Sequence, residues 1–276
     1  MHILFDIGKT KMRVAGWRGE EAVGEVFSGG TPKGADDMTA AFGELARRAA
    51  GGEKIEGAAG GIGVPLDAEK RSSAGVRWVG KPLRDMLSRA IGAPVLLEND
   101  AAMAVVGEAV HGAGAGKRIV AYMTVSTAVG GARAVEGELD EASFGFEPGH
   151  QIIDPDNTLC PDCPGNTLID YVSGTGVEER FGKKPYKIDD PHLWEEELPR
   201  FLAYGLWNAA LHWSPDTIIL GGSMILGNPA ISLEKTAEHF AELAQSMPVH
   251  PAIVPAALGD ESGLYGALEY ARRGKV

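Results

Sequence analysis

Apolar residues alternate with short polar breaks along this chain, and the period they follow switches between two and three to four. Residues 2–5 form an apolar run, broken by Asp6-Ile7-Gly8-Lys9-Thr10-Lys11 and resumed at residues 12–15, which predicts a hairpin of two strands. Residues 119–139 repeat that plan, with a strand, a small-residue turn and a second strand carrying its own turn at Glu136-Gly137. An apolar strand beginning at Val95 runs straight into an Ala-rich helix, and Thr217-Ile218-Ile219-Leu220 reads as a buried strand ending in Gly221-Gly222-Ser223. Helical spacing covers residues 36–50, 81–91, 99–111, 193–213 and 232–247. Strands alternating with helices predict an α/β fold. Two similar hairpins suit two related lobes. The glycine-rich stretch at residues 111–116 is the expected boundary, giving an α/β lobe over 1–112, completed by a carboxyl-terminal helix at 262–276, and a second over 113–261.

Composition narrows the function classes. With 276 residues, 44% of them hydrophobic, the chain can bury a large core. A formal net charge of −12 opposes nonspecific binding to nucleic acid, and no apolar run is long enough to span a membrane. The amino terminus enters a strand directly, so no signal peptide and a cytoplasmic location are expected.

The candidate chemistry gathers where strands end. Asn99 and Asp100 leave their strand into a helix, where a carboxylate on a fixed backbone suits a general base. The competing reading is a helix cap, for which both residue types are favoured. In the first hairpin, Gly8 permits a tight turn, Lys9, Thr10 and Lys11 offer charge, hydroxyl and amides to a phosphate, and Asp6 would hold Mg²⁺; a solvated hairpin tip is the bland alternative. Ser126, Thr127, Gly130 and Gly131 lack bulk, so a polyphosphate could approach their amides. A ligand above the strand ending at Gly221 and Gly222 fits the habit of open α/β sheets. Trp194, Trp207, Trp213 and Tyr204 are expected in core packing or a subunit contact, Glu195-Glu196-Glu197 in a solvated first helical turn, and Asp154 and Asp156 in a turn.

Taken as a set, these residues resemble the repressor, open-reading-frame and kinase (ROK) family of sugar kinases within the actin-like ATPase superfamily. Asp6 to Lys11 is similar to the family's first phosphate loop, Gly61-Ile62-Gly63-Val64-Pro65 to its glycine-rich stretch beside the sugar, and Glu98-Asn99-Asp100 to its sugar and base motif. Ser126 to Gly131 is similar to the second phosphate loop, Leu220-Gly221-Gly222 to the adenosine motif, and the stretch from Gly259 to Ala267 to the closing loop and helix. The resemblance implies a two-lobed, ribonuclease H-like ATPase fold with the active site in the cleft between lobes. It implies transfer of the ATP γ-phosphate to a hydroxyl of a hexose or amino-hexose, with Asp100 as base and Asn99, Gly63, Glu147 and His150 on the sugar. Asp6, Gly8, Lys9, Thr10, Lys11, Thr127, Gly130, Gly131, Gly221 and Gly222 would hold Mg²⁺ and nucleotide. A homodimer is the expected assembly. Repressors of the family carry a helix-turn-helix domain ahead of the phosphate loop, whereas five residues precede Asp6 here, so a DNA-binding regulator is not expected.

Two departures from the family pattern bear on metal and substrate. The family sets a Gly-His, a Cys-x-Cys and a later Cys around a structural zinc; here His150, Cys160 and Cys163 remain, with Asp162 and Thr167 where cysteines are expected. Zinc on three ligands with Asp162 or water as the fourth is chemically allowed. A reduced Cys-x-x-Cys pair and a local disulfide, which reducing cytosol disfavours, are the alternatives. Ile169 stands where the family carries a sugar-binding Glu, so Asp170 turns in to replace it, or the substrate lacks the group that needs it. The loop from Ser72 to Trp78 lacks the Asn expected before the Trp, and Ser126 and Ala128 replace glycines of the second phosphate loop. A noncatalytic sugar-binding sensor and a kinase of a noncarbohydrate polyol or small acid therefore stay open beside the sugar kinase.

Overall fold

The computed structural model describes residues 1–19, 22–64, 66, 78, 80–143, 145–247 and 250–274. They fall into two compact units: residues 1–111, 141–145 and 260–276 form the first, and residues 112–140 and 146–259 the second.

In the first unit, β1 (His2–Ile7) and β2 (Lys11–Trp17) pair antiparallel from His2 opposite Trp17 to Ile7 opposite Met12, the hairpin that the apolar runs predict. The turn is closed by the Gly8 amide donating to the Lys11 carbonyl at 2.9 Å. β3 (Val26–Gly30) adds to the edge of β2. α1 (Ala35–Ala50) lays Met38, Phe42, Leu45, Ala46 and Ala49 on the sheet and stops at Gly51 in the left-handed region. β4 (Gly57–Ile62), buried throughout, pairs parallel with β1. α2 (Leu83–Ile91) leads to β5 (Val95–Asn99), parallel to β4, and α3 (Asp100–His111) follows without a linker.

The second unit repeats this sheet. β6 (Ile119–Val125) and β7 (Val129–Val135) form the second antiparallel hairpin, and the turn at Glu136 and Gly137, both with φ above +50°, leads into β8 (Glu138–Leu139). A 3₁₀ turn at Pro148–His150 precedes α4 (Leu168–Val172), α5 (Gly174–Phe181) and α6 (Leu198–Trp213). The helix expected from residue 193 begins instead as a π-turn, Leu193–Glu197, ahead of Pro199. Glu197 there is ion-paired with Arg180 rather than simply solvated. Trp194, Trp207, Trp213 and Tyr204 all join the core of this unit. β9 (Thr217–Gly221), α7 (Ser223–Leu226), α8 (Leu233–Leu243) and β10 (Ala252–Pro255) complete it, with β9 parallel to β6 and β10 parallel to β9.

The last helix, α9 (Ser262–Arg272), belongs to the first unit and packs along α3. There the Ser262 hydroxyl donates to the buried Glu108 at 2.7 Å, and His111 meets Glu269 at 2.8 Å. The strand order is β3-β2-β1-β4-β5 in one sheet and β8-β7-β6-β9-β10 in the other. Hairpin, edge strand and two parallel additions thus recur in the same order. No helix of the described residues is long and apolar enough to cross a membrane.

Candidate active site

In the first unit, Asp6, Gly8, Gly63, Asn99 and Asp100 meet at the carboxyl ends of β1, β4 and β5, where an open α/β sheet presents ligands. The Asn99 carbonyl oxygen accepts the Ala101 amide at 3.0 Å, and its amide group donates to the Val64 carbonyl at 3.3 Å. The Ala101 amide is shared between the Asn99 and Asp100 side chains. Asp100 spends Oδ1 on the Ala101 amide at 2.9 Å and turns Oδ2 toward Gly63, where a built Cβ would lie 2.9 Å from that oxygen and 3.5 Å from the Gly8 Cα. Any side chain at residue 63 would press on the carboxylate. Burial raises the Asp100 pKa, opposed by the Ala101 amide and by the positive charge of Lys9.

Asp6 faces Arg13 across the hairpin, and the guanidinium donates to its Oδ2 at 3.2 Å while also pairing with Asp260 just before α9. Burial, then the negative charge of Asp100, push the Asp6 pKa up to about 7 against the pull of Arg13. Lys9, Thr10 and Lys11 are exposed at the turn. Arg13 and Asp260 did not stand out in the sequence. The hairpin register places Arg13 opposite Asp6, but nothing local brings in a carboxylate 247 residues away. Pro65 and most of the loop from Ser72 to Trp78 lie outside the described residues; Trp78 itself donates its indole N–H to the Lys33 carbonyl at 2.7 Å.

In the second unit the turn itself is Ser126-Thr127-Ala128, closed by the Ser126 amide on the Ala128 carbonyl at 2.9 Å. Its carbonyls are taken up by the start of α5: the Gly174 amide donates to Ser126 at 2.7 Å, and the Thr175 amide and hydroxyl donate to Thr127 at 3.2 and 2.7 Å. Gly130 and Gly131 lie beyond the turn, in β7, opposite Thr124 and Met123. Gly131 also bridges to Phe146, and a Cβ on it would meet Pro148 at 2.8 Å and Trp213 at 3.0 Å. Its small size serves packing. Gly221 ends β9 and Gly222 follows with φ +90°, a conformation suited to glycine, beside the Ser126–Ser223 hydroxyl pair at 3.0 Å. The 3₁₀ turn after Glu147 holds the segment from Glu147 to His150 against β7, with Glu147 half-buried and His150 exposed.

The predicted zinc set is not assembled. Cys160 and Cys163 form a disulfide, and no group of three or more His, Cys, Asp or Glu residues that could hold a metal ion occurs among the described residues. Sulfurs bonded to one another carry no thiolate to donate to zinc. Thr167, at the position of the missing cysteine, caps α4. Its amide and hydroxyl donate to Asp170 Oδ2 at 3.0 and 2.6 Å, so Asp170 is occupied in a capping box instead of replacing the missing Glu, and Ile169 packs on the core. Asp154, read as a turn residue, is buried and accepts hydrogen bonds from the Thr158 amide at 3.0 Å, the Leu159 amide at 2.8 Å and the Tyr171 hydroxyl at 2.5 Å. Burial alone would raise its pKa, but these donors together hold it below the usual value.

A family model described as "ROK family" matches residues 57–273. A glucokinase of Streptomyces coelicolor is 27% identical over 233 residues, covering 71% of this chain and 73% of the other. Among solved structures, a ROK family glucokinase from Streptomyces griseus in complex with glucose and AMPPNP superposes with a TM-score of 0.81 at 26% identity over 99% of each chain. A ROK hexokinase from Thermus thermophilus does so at 0.79, also at 26% identity and over 99% of each chain.

Proposed function

This chain belongs to the ROK family and is an ATP-dependent sugar kinase, and we propose that it phosphorylates a hydroxyl of a hexose, an N-acetylhexosamine or a closely related sugar with Asp100 as base. The observation that carries the reading is the Asp100 carboxylate, fixed at one oxygen by the Ala101 amide and presenting the other beside Gly63 and the first turn. In the reaction Asp100 takes the proton of the attacking hydroxyl, an O–P bond forms to the γ-phosphorus, and the bond to the β-phosphate oxygen breaks to release ADP. Asn99, Glu147 and His150 would bind the sugar hydroxyls. Lys9, Thr10 and Lys11 of one turn, and the amides around Thr127 of the other, would bind the phosphates, with Gly221 and Gly222 leaving room for the adenosine.

Asp6 offers the hard carboxylate oxygen that Mg²⁺ prefers, so its donor chemistry fits that ion. Bound there, Mg²⁺ would neutralise charge on the transferring phosphate. The pair formed with Arg13 holds the Asp6 side chain in one orientation at the end of β1.

A second reading, a kinase of a noncarbohydrate polyol, is favoured by one observation: Ile169 is packed on the core and Asp170 is spent on its cap, so neither offers the acceptor expected beside a standard hexose. ADP release with ATP and Mg²⁺ against hexoses, N-acetylhexosamines and polyols separates these readings. Stimulation by a sugar, with mass spectrometry finding the phosphorylated product, is the expected result. Stimulation by polyols alone selects the second reading, and sugar binding without ADP release selects a sensor.

A further inference from the structure

The loop between His150 and α4 is where the resemblance leads one to expect a metal, yet its own side chains already perform a metal's task. One carboxylate, Asp154, is 3% exposed and gathers donors from the middle of the loop and from the helix that follows it. The amides of Thr158 and Leu159, with the Thr158 hydroxyl at 3.4 Å, approach from the loop, and the Tyr171 hydroxyl approaches from α4. Tyr171 is in turn fixed edge-on against Phe201 of α6, with ring centroids 4.7 Å apart, so the hub is tied to the core of the unit. The base of the loop is zipped by backbone pairs: the Ile153 amide donates to the Asn166 carbonyl at 3.0 Å and the Leu168 amide to the Gln151 carbonyl at 3.0 Å. At the tip, the buried Cys160 is bonded to Cys163.

The ligands left for a metal do not suffice. The chain has two cysteines, Thr167 is committed to the cap of α4, and His150 and Asp162 are exposed. A structural zinc asks for four converging ligands, commonly thiolate and imidazole. We propose that the segment from Gln151 to Thr167 folds without a metal, around the Asp154 carboxylate as its organising centre and with the Cys160–Cys163 disulfide as a pin at its tip. A buried carboxylate that accepts several hydrogen bonds cross-links separate backbone segments much as a bound cation does, with the charges reversed.

The test needs no assay of activity and stands apart from the kinase reading. The purified full chain is assayed for zinc by plasma mass spectrometry, and its melting temperature is followed with EDTA and with dithiothreitol, which delivers two electrons and two protons to the S–S bond and leaves two thiols. Zinc far below one per chain and a melting temperature unmoved by EDTA are expected, with a fall of about 3 °C or more in Tyr171→Phe and in Asp154→Asn. Tyr171→Phe removes one hydroxyl and keeps the ring, so it reports even if Asp154→Asn fails to fold. Reduction should lower the melting temperature, and zinc added afterwards should not restore it. One zinc per chain with an EDTA-induced fall, restoration of the reduced protein by zinc, or no fall in Tyr171→Phe would each overturn the proposal.

Discussion

The two hairpin turns occupy equivalent places in two sheets of the same strand order, yet they are built for different work. The first turn, after β1, is closed by one backbone bond and exposes Lys9, Thr10 and Lys11, with Asp6 and Asp100 at the adjoining strand ends and Arg13 and Asp260 behind. The second, after β6, carries no charged side chain, and its carbonyls are held by α5 through Gly174 and Thr175. Repeating a backbone plan therefore does not repeat its chemistry. One copy concentrates ionisable groups that can accept a proton and balance phosphate charge; the other fixes a neutral turn whose backbone is oriented from behind.

If that division holds, damage to the first turn's surroundings should reach catalysis and damage to the second should reach nucleotide binding. Short of removing Asp100 itself, Gly63→Ala has the largest expected effect: the added methyl displaces the Asp100 carboxylate, and kcat should fall by about 10²-fold with the melting temperature little changed. Steady-state kinetics beside thermal melting check it, and an unaltered kcat would show that crowding at residue 63 does not reach the Asp100 carboxylate. Thr175→Val removes the hydroxyl bond to the Thr127 carbonyl, a loss of about 1 kcal/mol, so KM for ATP should rise roughly five-fold while kcat and the sugar KM stay put. A change in the sugar KM instead would blur the two roles.

The smallest effect is on pH dependence. A base works only when deprotonated, and burial raises the Asp100 pKa, so kcat/KM should climb with pH through a midpoint above the ordinary carboxylate range. The Asp100 charge, after burial, also raises the Asp6 pKa, so both carboxylates contribute to the acid limb of the metal-free protein. Lys9 favours the charged form of Asp100; Lys9→Met should move the limb to higher pH, which a pH–rate profile would reveal. Movement to lower pH would remove Lys9 from the surroundings of the base.

Much of this was legible along the chain because it is local. Apolar period broken by a short polar or small-residue turn suffices for both hairpins, and strand followed directly by helix marks where Asn99 and Asp100 stand. Distant partners were not legible. Asp154, beside Pro155 and Asn157, has the surroundings of a turn, and the hydroxyl that it accepts from lies on Tyr171, 17 residues on. A Cys-x-x-Cys spacing suits a metal and a disulfide equally, and only the placement of the other ligands decides. Thr167 and Asp170 have capping-box spacing, a local signal that the expectation of a ligand at those positions overshadowed. Small residues run on from the second turn into β7, so the sequence pattern does not separate Gly130 and Gly131, which lie in that strand, from the turn itself.

In the proposed reaction Asp100 removes the proton of the attacking hydroxyl. The most direct test of that step is single-turnover transfer from γ-labelled ATP to the best sugar by wild type and Asp100→Asn, with calorimetry of sugar and nucleotide binding on both. A transfer rate lower by about 10²–10⁴-fold in the variant, with both ligands still bound, is the predicted result. Transfer at the wild-type rate would contradict the account and move the base to another residue.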